Sequence, residues 1–170
     1  CGRVFRVFDQ QDSGNICFGV DGGGKKYFVK LAGARPARSN TEPEQAVERL
    51  KATIPVYEAL AHPLLLNVRE HRQVPGGYIA VFEWFDGACM GRMYGNTWKF
   101  LALPKSEKLK MFGDILEFHS YVNEKGYVAI DFYDGSVMYN FETKETRICD
   151  IEFYTKMPYV NTMGRMWGSG

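Results

Sequence analysis

Long apolar runs are missing from this chain of 170 residues. None approaches the roughly 18–20 residues that a membrane-spanning helix needs, and no signal-peptide pattern opens the sequence. An excess of one charge is missing too. The 21 basic and 20 acidic residues leave a net charge of +1, which gives no general attraction for nucleic acid or for a membrane surface. Cysteine is sparse: Cys1, Cys17, Cys89 and Cys149 form no CxxC pair. That argues against a zinc site and against a disulfide scaffold, and it suits a reducing cytosol, so a cytoplasmic location is expected. The three histidines, His62, His71 and His119, make no cluster with zinc spacing. There is no Gly-x-Ser-x-Gly elbow, no repeat and no low-complexity segment. What the chain does have is core-forming material, 45% hydrophobic and 15% aromatic, at a length that suits one domain or two small lobes. It starts at Cys1 and stops at Trp167-Gly-Ser-Gly170 without a closing helix, so a fragment of a longer protein is expected.

The first third alternates as β structure. Arg3–Phe8, Ile16–Val20 and Lys26–Leu31 read as strands, separated by turns at Asp12–Asn15 and Asp21–Gly24. Strand, tight turn, strand, glycine turn, strand is an antiparallel meander. A helix is expected after Asn40. Thr41-Glu-Pro-Glu44 has the spacing of a capping box with proline in the first turn. Ala46, Val47, Leu50, Ile54 and Tyr57 supply an apolar stripe, and Pro55 is expected to kink or split the helix. Strands over Leu65–His71 and Gly77–Glu83 follow, turned by Pro75–Gly77. Thr97–Leu103 is poorly specified. Ser106–Lys125 is the clearest helix, with Leu109, Phe112, Ile115, Leu116, His119 and Val122 on one face and Gly126 at its C′ position.

The most informative stretch is Gly126–Tyr154. Asp131 and Asp150 each end a short apolar run. Between them lies a hairpin of Ser136–Tyr139, a turn at Glu142–Glu145, and Thr146–Cys149. A hairpin brings its ends together, so the two carboxylates should lie near one another. One carboxylate as proton acceptor and one as magnesium ligand is what phosphoryl transfer asks of a protein, because that reaction depends on positioning and charge neutralisation.

Taken together, these elements and motifs resemble the protein-kinase-like fold shared by eukaryotic-type Ser/Thr kinases and aminoglycoside-type phosphotransferases. The resemblance spans Val4 to Ser169 and implies an α+β, bilobal protein. Residues 1–85 would be an N-lobe with a five-stranded antiparallel sheet and one αC-type helix. Residues 86–170 would be an incomplete helical C-lobe. Lys30, in Phe28-Val-Lys30-Leu31, looks like the third-strand lysine that holds the α and β phosphates of ATP. Asp12–Val20 takes the place of the glycine-rich loop, with Gly14 and Gly19 kept but the full GxGxxG absent; the backbone from Ser13 through Gly14 and Asn15 to Ile16 would meet phosphate oxygens. Glu44 and Glu48, a turn apart on one face, are the candidates to pair with Lys30. Val81–Gly87 resembles the hinge, with Phe82 as gatekeeper and with the Glu83 carbonyl and Phe85 N–H binding the adenine edge.

By the same resemblance, Gly126–Asp131 matches Gly-x-x-His-Arg-Asp, with Ala129 and Ile130 replacing histidine and arginine. Asp131 would orient or deprotonate the acceptor hydroxyl. Tyr133 stands where the family has lysine. Ser136 replaces its metal-binding asparagine, with Asp134 close by. In Cys149-Asp-Ile-Glu152, Asp150 would bind the Mg²⁺ that bridges the phosphates. Met163–Ser169 resembles the end of an activation segment. Met111, Phe112, Phe118 and Trp167 are left without an evident apolar shelter.

These residues imply an ATP- and Mg²⁺-dependent phosphotransferase resembling a Ser/Thr protein kinase, acting on a protein or small-molecule hydroxyl and not on nucleic acid or membranes. Two alternatives stay open: a pseudokinase that binds nucleotide or a partner protein, and a small-molecule kinase of the aminoglycoside type, which Asp-Ile-Glu and the missing arginine favour.

Overall fold

The computed structural model of the chain describes residues 2–9, 13–36 and 39–160, the side chain of Met93 excepted. It is a mixed α+β protein and divides into two compact units. One comprises the residues through Glu58 together with Asn67–Trp84. The other comprises Ala59–Leu66 and the residues from Phe85 onward. Asp12, Cys1 and Met163–Ser169 with Trp167, which the sequence reading used, lie outside the described residues.

In the first unit, the strands β1 (Arg3–Phe8), β2 (Asn15–Asp21), β3 (Lys26–Ala32), β4 (Val68–Val74) and β5 (Gly77–Glu83) form one antiparallel sheet in the order β1-β2-β3-β5-β4. The alternation in the sequence sets which face is buried: Cys17, Ala32, Ala80 and Phe82 are all core. Helix α1 (Pro43–Ala59) supplies Ala46, Leu50, Ile54 and Tyr57 to that core. Tyr57 meets Phe82 edge-on, with ring centroids 5.0 Å apart.

Three details differ from expectation. Strand β4 starts at Val68 rather than Leu65; Leu65 belongs to the other unit, where it bridges Ile148. Helix α1 runs without a break through Pro55, because core packing on one side outweighs one missing intrahelical bond. The helix begins at Pro43, with the Glu42 carbonyl accepting from Ala46 N–H at 3.0 Å, so Thr41 sits one residue too early to close a capping box. Pro43 is at the first helical position, where its absent N–H costs nothing.

The second unit is built on α3 (Lys105–Glu124), preceded by strand β6 (Ala88–Cys89) and short helix α2 (Thr97–Leu101). After α3 come β7 (Tyr127–Ala129), a 3₁₀ turn at Asp134–Ser136, β8 (Val137–Asn140), β9 (Glu145–Ile148) and β10 (Tyr154–Lys156). Strands β6, β8 and β9 pair in that order, and β7 pairs antiparallel with β10. The expected hairpin is therefore present as β8–β9. The Asn140 side-chain carbonyl caps its tip by accepting from the N–H groups of Glu142 and Thr143. Gly126 ends α3 as expected, with φ +74 and its N–H donating to the Asn123 carbonyl.

Helix α3 buries only part of the face read off the sequence: Val122 is core and Ile115 packs against the core, but the buried side is turned toward Met111 and Phe118. Met111, Phe118 and Val122 face the core, whereas Leu109, Phe112 and Leu116 are 58%, 57% and 55% exposed. The helix carries apolar residues on opposite faces, so periodicity alone does not choose between them. Met111 packs with Phe100, Val137 and Tyr139, and Phe118 packs against the rings of His62 and Tyr154. Two carboxylates on the buried side complete the join. Tyr139 donates its hydroxyl to Glu107 at 2.9 Å, and Thr146 donates to Asp114 at 2.5 Å.

Candidate functional site

Lys30 lies at the centre of the sheet in the first unit, on β3 between Cys17 of β2 and Ala80 of β5. It is only 8% exposed. A buried ammonium is costly without favourable surroundings, so lysines are almost never this enclosed unless paired. The ordinary solvated strand lysine does not describe it. Glu44 and Glu48 are both exposed on α1, and Glu48 holds Lys51 at 3.1 Å.

The β1–β2 turn bears Ser13, Gly14 and Asn15. Gly14 has φ +81, and a β-carbon there would stand 3.0–3.1 Å from Thr41 and Ala46. Glycine is therefore needed twice over, for its backbone and for its close approach to the start of α1. Asn15 is buried, and its Oδ1, like the Ser13 hydroxyl, has no hydrogen-bond partner among the described residues. Phe82 packs against Tyr57 and Phe28 in the core. The Glu83 carboxylate braces the base of β4, accepting from Asn67 at 3.1 Å and from Arg69 at 2.8 Å.

The second unit holds the other sequence-derived residues. The Phe85 ring lies under the Arg147 guanidinium, 5.3 Å from centroid to Cζ. Asp131 follows β7, whose exit is fixed by the Ile130 N–H donating to the Phe153 carbonyl. Asp150 follows β9, whose last turn is fixed by the Cys149 N–H donating to the Ser136 carbonyl. Two nested ladders, β8–β9 inside and β7–β10 outside, thus close the segment between the two aspartates. The fields of both carboxylates reach the Tyr133 hydroxyl. Asp150 has φ +59. A non-glycine residue in the left-handed region stores strain and persists only where its surroundings enforce it, often at functional positions.

Tyr133 is central here, and the sequence reading noted it only as a replaced lysine. Burial first, then the field of Asp150, Tyr94 and Asp131, pushes its phenol far above the ordinary value, so it stays protonated. The outer end of its ring crowds Gly135: a β-carbon there would fall 2.3 Å from Cε2 and 2.8 Å from the hydroxyl oxygen. Cys89 was also missed. Its thiol donates to the Gly135 carbonyl at 3.2 Å, a carbonyl that Cys149 approaches at 3.7 Å. Burial, opposed by a hydrogen bond from Gly91 and assisted by Asp134 and Asp150, raises the Cys89 thiol to about 11. Only the two isolated glycines, Gly91 and Gly135, hinted at this packing. Ser136 is fully buried, and its hydroxyl has no partner among the described residues.

Among the described residues, no three His, Cys, Asp or Glu side chains group as a metal site. No helix among them is long and apolar enough to cross a membrane. Compared with models of protein families and with curated proteins, the chain matches none.

Proposed function

We propose that this protein is a Mg²⁺- and ATP-dependent phosphotransferase of the protein-kinase-like fold, with the first unit as its N-lobe and the second as part of its C-lobe. The observation that carries the reading is the pair of nested β ladders that brackets Asp131 and Asp150, with Asp150 in a strained backbone conformation. The enclosed Lys30 supports it independently.

The donor set suits magnesium. Mg²⁺ takes hard oxygen ligands and is commonly held by one or two carboxylates plus substrate phosphates, so a three-residue protein cage is not required. Asp150 would hold the metal, and Ser136 offers a second oxygen in the adjoining turn. Mg²⁺ would neutralise the phosphate charge. Lys30 would hold the α and β phosphates as a point charge, with Ser13, Gly14 and Asn15 beside them and Glu83 and Phe85 at the adenine. The acceptor oxygen forms its bond to the γ-phosphorus as the bridge to the β-phosphate breaks. The electron pair of that bridge leaves with ADP, and the hydroxyl proton passes to Asp131. The acceptor is a hydroxyl of a protein or of a small molecule, and the protein acts in the cytoplasm.

Thermal denaturation with and without Mg-ATP tests nucleotide binding. At about 100 times Kd, ligand adds roughly 2.7 kcal/mol; an unmoved transition would refute the reading. A second reading is a nucleotide-binding module with little transfer activity. The enclosure of the Ser136 hydroxyl favours it, because a metal ligand has to be reachable. γ-Phosphate transfer that is equal in wild type and Asp131→Asn would select this second reading.

A further inference from the structure

We propose that strand β1 is a docking edge for an extended acidic peptide, one whose residues alternate between carboxylate and apolar side chains and which adds to the sheet as a further strand. The sheet has two edges, β1 and β4, and they are finished differently. An edge strand presents a row of N–H and C=O groups that no neighbouring strand pairs, and proteins commonly blunt such edges with charge. On β4 this is done. Arg69, Glu70 and Arg72 are exposed there, with Arg72 holding Glu70 at 3.1 Å and Arg69 holding Glu83 at 2.8 Å. On β1, Val4, Phe5 and Val7 are instead 50%, 41% and 53% exposed. Among the described residues of the first unit, no other large apolar side chain is left so open.

The register gives β1 two chemically distinct sides. Residues directly opposite one another in a sheet share a face. Val4 stands opposite Val20 and Val7 opposite Phe18, whereas Arg3 stands opposite Asp21 and Arg6 opposite Gly19. Successive residues of β2 alternate between faces, so both valines lie on one side and both arginines on the other. The bulge between Val4 and Arg6 makes this possible, because it takes up one residue of β1. Phe8, opposite Cys17, shares the arginine side, and the Arg6 guanidinium stands over its ring at 4.8 Å. Asp21, the carboxylate of β2 on that side, accepts from the Gly24 N–H at 2.9 Å within the turn. An incoming strand therefore meets an open backbone edge, two cations on one face and two half-exposed valines on the other. Alternating carboxylate and apolar residues match all of these at once: backbone pairing supplies affinity and the alternate side chains supply specificity. The six residues of β1 offer about 20 Å of edge. The edge would serve this role whether or not the protein transfers phosphate.

Three capped peptides of about six residues are the probes. One alternates valine with glutamate, one alternates valine with lysine, and the third is the glutamate peptide with its backbone amides N-methylated. Each is titrated into the isotope-labelled full chain, without nucleotide or metal, and amide shifts are followed by NMR. The glutamate peptide should bind with a Kd below about 1 mM and about tenfold more tightly than the lysine peptide. It should move the amides of Arg3–Phe8 and leave those of Val68–Val74 in place. N-methylation removes the donors that pair with the edge and should abolish binding. Val7→Thr keeps strand propensity and should weaken binding about threefold. Arg6→Glu should reverse the preference between the two charged peptides; if it fails to fold, Arg3→Glu asks the same question. No binding at about 1 mM, shifts centred away from β1, binding that survives N-methylation, equal affinity for the two charged peptides, or unchanged affinity in Val7→Thr would overturn the proposal. So would β1 amides that shift with protein concentration alone, because the occupant would then be a second copy of the chain.

Discussion

Asp150 offers a test whose sign, rather than its size, carries the answer. At an ordinary position, replacing alanine by glycine costs about 0.5–1 kcal/mol, because glycine has more backbone freedom to lose on folding. Asp150 has φ +59. There a β-carbon is strained by roughly 1–2 kcal/mol, and glycine is not. The two effects oppose, and strain is the larger. Asp150→Gly should therefore be more stable than Asp150→Ala by roughly 0.5–1 kcal/mol, the reverse of the usual order. Asp150→Asn, which keeps the shape and tolerates the left-handed region, should fall between them or above. Guanidinium denaturation of the three variants reads this difference directly, and the slope should be the same in all three. In a thermal scan the gap is about 1–4 °C for a chain of this size. Alanine matching or exceeding glycine would refute the assigned backbone conformation. All three variants should lose the Mg-ATP stabilisation equally, because each removes the carboxylate.

Gly135→Ala would meet the outer end of the half-exposed Tyr133 ring, which can swing aside, and should cost about 0.5–1.5 kcal/mol. Combining it with Tyr133→Ala should recover most of that loss in a double-mutant cycle; additive losses would show that the ring does not lie on the glycine. Thr146→Val removes a buried hydroxyl that donates to the Asp114 carboxylate and should cost about 1.5–3 kcal/mol by urea denaturation. His119 is held neutral, its pKa lowered chiefly by burial. Its contribution to stability is therefore present above its unfolded pKa of about 6.5 and is lost as pH falls through the folded value. His119→Gln should flatten that acid limb of the denaturation midpoint. Leu116→Lys, on the exposed stripe of α3, should change unfolding free energy by no more than about 0.5 kcal/mol and should reduce dye binding to apolar surface.

The sheet of the first unit was readable because its signals agree at short range. Alternating Ile16–Val20 and Lys26–Leu31, separated by Asp21–Gly24, leave little choice of register. The Asp–hairpin–Asp unit was readable for the same reason. What failed to read depended on partners distant in sequence. Leu65 was assigned to the sheet strand because it is apolar and adjoins one, yet it pairs with Ile148. Leu109, Phe112 and Leu116 extend the stripe of Ile115, His119 and Val122 as readily as Met111 and Phe118 do, and only packing against distant residues decides which side is covered. Strands β7 and β10 have three residues each, too few to show a period. The sign of φ at Asp150 and the approach of Tyr133 to Gly135 are properties of the folded chain that no residue announces by itself.

The nested ladders leave one place where the chain can change length without disturbing the chemistry. The tip between Asn140 and Glu145 is exposed at Glu142–Lys144 and lies at the far end of the hairpin from both aspartates. Lengthening a loop adds closure entropy only logarithmically, about 0.6 kcal/mol per doubling. A reporter peptide spliced there would travel with a strand pair already zipped in register. A single residue added within β8 or β9 would instead rotate every following side chain to the opposite face. The tip is thus the natural point of entry for a label, and the strands are the part that tolerates none.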